Sequence, residues 1–210
     1  MHKGLMGGFT GRIGDKIGYI INGVQYIRSA PKKRTGPVSK EQTIQRGKFS
    51  MMTKFLSPLC PFINEVHEKS YRGEPRYHKL FSLNYRKALK GEYPDFSIDY
   101  RLLQLTTGAL SGIQGIHVNC DKDACLDFHW DDNSNYYMGA HPWDRLYLAF
   151  YNEDKKCWEI KINMALREDA FVTTNMSSHR GDRLQIYAGF TSPYKRQVSN
   201  SMYLGMIKIK

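Results

Sequence analysis

From about residue 105 onward the apolar residues recur at every second position, in short runs near 114–120, 125–130, 145–151, 157–163, 170–174, 183–191 and 202–209. Period two is the repeat of a strand with one face in a core, and many short runs separated by turn residues are the pattern of an all-β sandwich. Arg145–Tyr151 puts Leu146, Leu148 and Phe150 on one face, and Arg183–Phe190 does the same with Leu184, Ile186, Ala188 and Phe190. In the last run the apolar phase jumps from Met202, Leu204 and Met206 to Ile207 and Ile209, which predicts a bulge near Gly205. Residues 105–210 therefore read as a seven-stranded fibronectin- or immunoglobulin-like β-sandwich.

The first two runs can be registered by hand. Ile116, Val118 and Cys120 share a core face with Leu126, Phe128 and Trp130 only if 116 pairs with 130 and 118 with 128. Cys125 then falls in the turn, and a Cys120–Cys125 bridge is disfavoured. The same register sets His117 opposite His129 on the outer face with Asp127 one pair further on, two imidazoles and a carboxylate that make an incomplete metal site. Four cysteines without CxxC spacing in a chain of this size read as reduced thiols.

Residues 1–104 are built differently. Seven glycines lie in the first 23 residues, yet they fit neither the dinucleotide fingerprint nor the P-loop. Ile17–Ile21 and Val24–Arg28 flank Asn22-Gly23, the turn that most strongly favours a two-residue hairpin. A lone hairpin is marginal in water, so this one must lie against its own chain or another. Glycines around it leave backbone that a further strand or a nucleic-acid backbone can approach, the alternative being a mobile leader carrying a hairpin. Pro31–Pro37 is a basic linker. Ser39 and Gln42 form a capping box that starts a helix, with Ile44, Met51, Met52, Phe55, Leu56 and Leu59 on its apolar side. Pro58 and Pro61 reset it before Phe62, Ile63 and Val66, and a third helix is expected from about Tyr77 to Lys90, stopped by Gly91. The whole is of the α+β class.

Charge is uneven: residues 1–100 hold 18 Lys and Arg against 8 Asp and Glu, and residues 101–210 hold 13 against 12. A segment that basic meets phosphate, acidic protein or anionic lipid more readily than it builds a core. Tyr71, Arg72, Arg76, Tyr77, Tyr85 and Arg86 interleave in a way that suits nucleic acid, though long basic side chains on the wet face of a helix look the same. No stretch is apolar enough for a membrane span or a secretory h-region, which leads to the expectation of a cytoplasmic protein. No catalytic motif is found, and neither a cofactor nor a metal is expected.

Several stretches carry a resemblance: Gly8-Phe-Thr-Gly-Arg-Ile-Gly14, Gly23–Pro31, Gln42-x-x-Gln45-Arg46, Phe128–Asn133, Asp144–Asn152, Arg167, Gly181-Asp182, Tyr187 and Val198–Gly205. In these the chain resembles, over nearly its whole length, a family of uncharacterised Bacteroidota proteins known as a domain of unknown function. The resemblance implies a shared fold and no activity. The N-terminal hairpin and Gln-x-x-Arg helix also resemble a module of phage and prophage proteins. Gly14-Asp15-Lys16 departs from the family pattern, which places a second basic residue there.

The functional expectation is a non-enzymatic interaction protein that docks into a larger assembly, by protein partners or self-assembly, through its N-terminal module. The residues expected to carry the contact are the backbone-exposing Gly8, Gly11 and Gly14 and the hairpin's Tyr19, Asn22, Gly23, Tyr26 and Arg28. Lys32, Lys33 and Arg34 of the linker and Arg46 of the first helix complete the set. Nucleic-acid binding by the basic half is the alternative.

Overall fold

A computed structural model describes residues 9–21, 23–32, 36–67, 76–120, 124–134, 139–194 and 197–210. Gly8, Asn22, Lys33, Arg34, Tyr71 and Arg72 lie outside them. The chain opens with β1 (Gly11–Ile13), β2 (Lys16–Ile21) and β3 (Val24–Ser29), an antiparallel sheet in that order. Ile21 pairs with Val24, the register expected of a hairpin with a two-residue connection, and Gly23 has φ +80°. A second tight turn at Gly14-Asp15, with Gly14 at φ +58°, adds β1, a strand too short and glycine-rich to be read from the sequence.

The Ser39 capping box is present: its hydroxyl accepts from the Gln42 amide at 3.3 Å, and α1 runs Lys40–Leu56. A short turn at Ser57–Leu59 carries Pro58, α2 follows at Cys60–Val66, and α3 spans Arg76–Lys87. The third helix therefore stops earlier than expected. Gly91 does not cap it but lies in a hairpin of β4 (Leu89–Glu92) and β5 (Asp95–Ile98), around a cis Tyr93-Pro94 bond. At φ +85° its missing side chain leaves room for the Asp95 carbonyl oxygen, a reason for glycine that differs from a helix stop.

The remaining strands are β6 (Gln114–Asn119), β7 (Cys125–Asp131), β8 (Arg145–Asn152), β9 (Cys157–Lys161), β10 (Phe171–Asn175), β11 (Arg183–Thr191) and β12 (Met202–Lys208). They form two antiparallel sheets, β10-β7-β6 and β12-β11-β8-β9. His117 pairs with His129 and Val118 with Phe128, as registered by hand, but Gly115 at φ +57° shifts the pairing before His117. Cys125 begins β7 and pairs with Asn175, so it is a strand residue and not part of the turn. All four cysteines are free thiols. The bulge in β12 skips Leu204: Ile186 pairs with Gly205 and Tyr187 with Tyr203. That rephasing brings Leu204, Ile207 and Ile209 to the same core.

One core lies between the two sheets, with Leu126, Phe128 and Trp130 meeting Leu148, Phe150, Ile186 and Phe190. A second core lies on the opposite face of the β12-β11-β8-β9 sheet, where Tyr147, Ala149 and Tyr187 pack on Met52, Leu56 and Phe62 of the helices. β8 and β11 are thus buried on both faces, and the layers run sheet, sheet, helices. The segment entering this stack is fastened to a late part of the chain. The Leu105 amide donates to Ser201 Oγ at 2.9 Å, Thr106 Oγ1 to the Ser199 carbonyl at 2.7 Å, and the Gly108 amide to Asn200 Oδ1 at 3.2 Å.

The buried tyrosines of the second core give a pH expectation. Burial pushes the Tyr147 and Tyr187 phenols far above their ordinary range and the Tyr100 phenol up to about 12. Tyr187 donates to the Tyr100 carbonyl at 2.7 Å, and the Tyr147 hydroxyl is paired with Thr106 at 2.6 Å. Because the folded state holds the neutral phenol more tightly than the unfolded chain, stability is full below the unfolded tyrosine pKa of about 10 and falls as pH rises above it. In an absorbance titration of tyrosinate, part of the signal is expected to come in only with alkaline unfolding; every tyrosine titrating while the protein remains folded would contradict this.

Candidate interaction surface

The three-stranded sheet at residues 9–30 contributes nothing to either core. Cross-strand pairing places Arg12, Ile17, Tyr19, Ile21, Val24, Tyr26 and Arg28 on one face. The other carries Gly11, Ile13, Lys16, Gly18, Ile20, Gln25, Ile27 and Ser29. Ile21 and Val24 on the first face are 52% and 54% exposed, and Ile13, Ile20 and Ile27 on the second 51%, 54% and 59%. Apolar side chains on a packed sheet are covered on at least one side; here, among the described residues, little covers either side. Among those residues only Phe9 folds back, its ring and carbonyl lying over Gly18 and its oxygen accepting from Gln25 Nε2 at 3.0 Å. A methyl on Gly18 would collide with Phe9, so the close approach that a glycine permits here is made within the chain.

On the first face Tyr19 and Tyr26 stack with centroids 5.7 Å apart, and the Arg28 guanidinium stands 5.7 Å over Tyr19. Arg12 Nε donates to the Gly14 carbonyl at 3.0 Å, fixing the first turn. Lys16 lies near Asp15, the one acid of the described sheet, at 3.8 Å with both exposed. Among the expected contact residues the structure thus brings together Tyr19, Tyr26 and Arg28 on one face. Gly14 and Gly23 are turn residues, Gly11 is in β1 with φ +112°, and Lys32 is exposed in the linker. Arg46 belongs to a different surface, the outer stripe of α1, beside Phe49 and Tyr85. The outer edge of β3 contains neither proline nor lysine, the usual guards against further pairing.

Elsewhere most polar groups are taken up by contacts within the chain, Thr53 Oγ1 and Asp144 Oδ1 being buried exceptions. His129 lies 4.5 Å from the Phe171 ring, and Asp127 Oδ1 accepts from Thr173 at 2.6 Å. Among the described residues no group of three or more His, Cys, Asp or Glu is placed to hold a metal ion. At the opposite end of the sheets, Asn152 donates from Nδ2 to His179 Nδ1 at 2.9 Å and to Asp182 Oδ2 at 2.7 Å. Its Oδ1 accepts from the amides of Asp154 and Lys155, which fixes the amide's orientation. Nδ1 of His179 is then the acceptor, and Nε2 donates to Glu159. Every polar atom of this histidine is used to tie β8 and β9 to the Ser177–His179 turn.

Sequence reasoning named Arg167 as part of the family resemblance but gave it no role. It is fully buried, with Nε and Nη2 on Asp144 Oδ2 at 3.1 and 3.0 Å, Nη2 also on the Ser111 carbonyl and Nη1 on Asn133. Its guanidinium sits 3.9 Å from the Phe190 ring centroid, and its carbonyl accepts from Trp130 Nε1 at 2.8 Å. Burial lowers its pKa, and Asp144 offsets only part of that shift.

The profile of DUF6266, a family of unknown function, matches residues 8–205. The chain belongs to that family. The match includes the exposed sheet as well as both cores, so family membership covers the candidate surface. No curated protein matches. Among solved structures, the fibronectin type III domain of the human collagen alpha-1(XX) chain is similar at 10% identity over 50% of this chain and 89% of that one. Its TM-score of 0.35 is too low to carry an argument. Among the described residues no helix is long and apolar enough to cross a membrane.

Proposed function

We propose that this member of DUF6266 is a non-enzymatic interaction protein whose residues 9–30 dock into a larger assembly. The observation that carries the reading is the sheet with two apolar faces little covered by the described residues and no part in either core. A partner that satisfies it is a cleft covering both faces, and its lining is acidic, because Arg12, Lys16, Arg28 and Lys32 oppose the single Asp15. Strand addition along β3 supplies register without needing a particular sequence. The likeness of the N-terminal segment to phage and prophage modules points the same way. The order β10-β7-β6 opposite β12-β11-β8-β9 further supports classing residues 105–210 with seven-stranded fibronectin- or immunoglobulin-like sandwiches.

Hydrogen exchange on the lone chain and on the assembly recovered from its source tests the docking. Amides of 17–21 and 24–28 are expected to exchange freely in the monomer, while those of β8 and β11 are protected, and to become protected in the assembly. Gly23→Val, which forces a β-branched residue to positive φ in open space, is expected to strain the turn by about 1–3 kcal/mol. It should abolish docking while leaving the main thermal transition unchanged. Amides of 17–28 already as protected in the monomer as those of β8, and unaltered on assembly, would make the sheet ordinary intramolecular structure.

One observation favours nucleic acid as a second reading: a stacked tyrosine pair with Arg28 over it and Arg12 on the same face resembles a base-stacking platform. Phosphate-driven binding weakens steeply with salt. Absence of affinity for random single-stranded DNA and RNA at low salt would remove it.

A further inference from the structure

We infer that the outer side of α1 is a second docking surface, which takes an acidic segment of a protein partner carrying apolar anchors on either side of an acidic residue. Two hollows flank Lys54, which lines both. The first, of about 690 Å³, is formed by Phe49 and Thr53 of α1 and by Tyr85 of α3, with Arg46 at its rim. The second, of about 220 Å³, is formed by Phe55, Pro58, Tyr151 and Trp158, with Lys156 at its rim. Cation, aromatic hollow, cation, aromatic hollow, cation is therefore the order across the surface.

The aromatic walls are held rigidly. Phe49 is 58% exposed but leans on Phe81 at 4.9 Å, Tyr85 stacks on Phe81 at 6.0 Å and donates to Gln45 at 2.6 Å, and Trp158 Nε1 donates to the Phe55 carbonyl at 3.0 Å. Preformed aromatic pockets are where binding energy concentrates. No carboxylate lines either hollow, and Arg46 and Lys54 make no salt bridge to any described residue; Lys156 makes none either, although its charge acts on the Asp154 carboxylate. Charge decides the occupant. The exposed sheet of a second copy, with Arg12, Lys16 and Arg28, would set like charges against these cations, whereas an acidic segment pairs with all three as its apolar residues fill the hollows. This surface is independent of residues 9–30, and its failure would leave the docking of the sheet untouched.

The test is fluorescence anisotropy of the full chain with a short fluorescein-labelled peptide in which two Leu-Phe pairs flank a pair of glutamates, with amide shifts mapping the site. Binding is expected to move amides of 45–56, Tyr85 and Trp158. Lys54→Glu and Phe49→Ala, both at exposed positions, are each expected to weaken it about tenfold or more with the melting temperature unchanged. Replacing the glutamates with glutamine should weaken it comparably. No binding, equal binding to either variant, shifts confined to residues 9–30, or displacement of the peptide by oligothymidylate as effectively as by unlabelled peptide would each overturn the inference.

Discussion

Replacing Arg167 with alanine is expected to cost about 3–5 kcal/mol of folding stability, the loss that follows when one partner of a buried ion pair is removed. The guanidinium is fully enclosed and satisfies Asp144, Asn133 and the carbonyl of Ser111. Alanine would leave a buried carboxylate facing no cation, with only the His141 amide still donating to it, two acceptors, Asn133 Oδ1 and the Ser111 carbonyl, without donors, and the Phe190 ring without its cover. The loops around residues 109–113, 131–134 and 141–144 are held in place by this one side chain, so they should loosen together. Urea unfolding measures the cost. A double variant, Arg167→Met with Asp144→Leu, is expected to recover much of the loss, because a buried pair replaced by apolar residues of similar volume leaves no stranded charge. A single-variant effect below about 1 kcal/mol would mean that water reaches the pair and that the network is not a keystone of this end.

Phe150→Ala is expected to lower stability by a comparable amount, about 3–5 kcal/mol, through lost burial and the cavity left behind. Phe150 pairs with Ile186 and Glu159 in the middle of the central sheet and meets Phe128 of the facing sheet with centroids 6.4 Å apart. Neither strand can close around the void, because β8 carries a second core on its other face. Both substitutions should shift the same unfolding transition and leave the exchange of amides 16–29 unchanged, since the N-terminal sheet shares no core with them. A Phe150→Ala protein that released the N-terminal sheet as well would show the two to be coupled.

Much of the local structure was legible because it rests on local chemistry. Ser39 with Gln42, Asn22-Gly23 and the phase jump at Gly205 each act within a few residues, and the pairing of His117 with His129 follows from which faces must be apolar. The second core was not legible. Tyr147, Ala149 and Tyr151 alternate with Leu146, Leu148 and Phe150, and tyrosine with a polar tip reads equally well as a wet face or as a face covered by helices. The β4–β5 hairpin was hidden because Ala88 to Lys90 continue a helical pattern until Gly91 and the Tyr93-Pro94 turn. Arg167 was named only among the residues of the family resemblance, with no role, because its partners come from segments 23 to 56 residues away. Of the candidate surface, the hairpin and the residues Tyr19, Tyr26 and Arg28 were named, but not that they share a face; the hollows beside Lys54 were not foreseen either, since they join α1 to Tyr85, Tyr151 and Trp158 through tertiary packing alone.

The clasp between residues 105–108 and 199–201 bears on how the protein is made. Helices α1 to α3 leave the ribosome before the sheet strands, yet Leu103 and Leu105, both buried in the second core, sit in a segment whose polar anchors follow 93 to 96 residues later. Until Ser199, Asn200 and Ser201 emerge, the helices have no finished sheet to rest on, because β11 and β12 are also still to come. The nascent chain must therefore carry an uncovered apolar helical cluster while the 96 residues that separate Leu105 from Ser201 are made, a long window of exposure for a chain elongating at about 5–20 residues per second. Its layers can lock together only once β11, β12 and the clasp residues have all emerged.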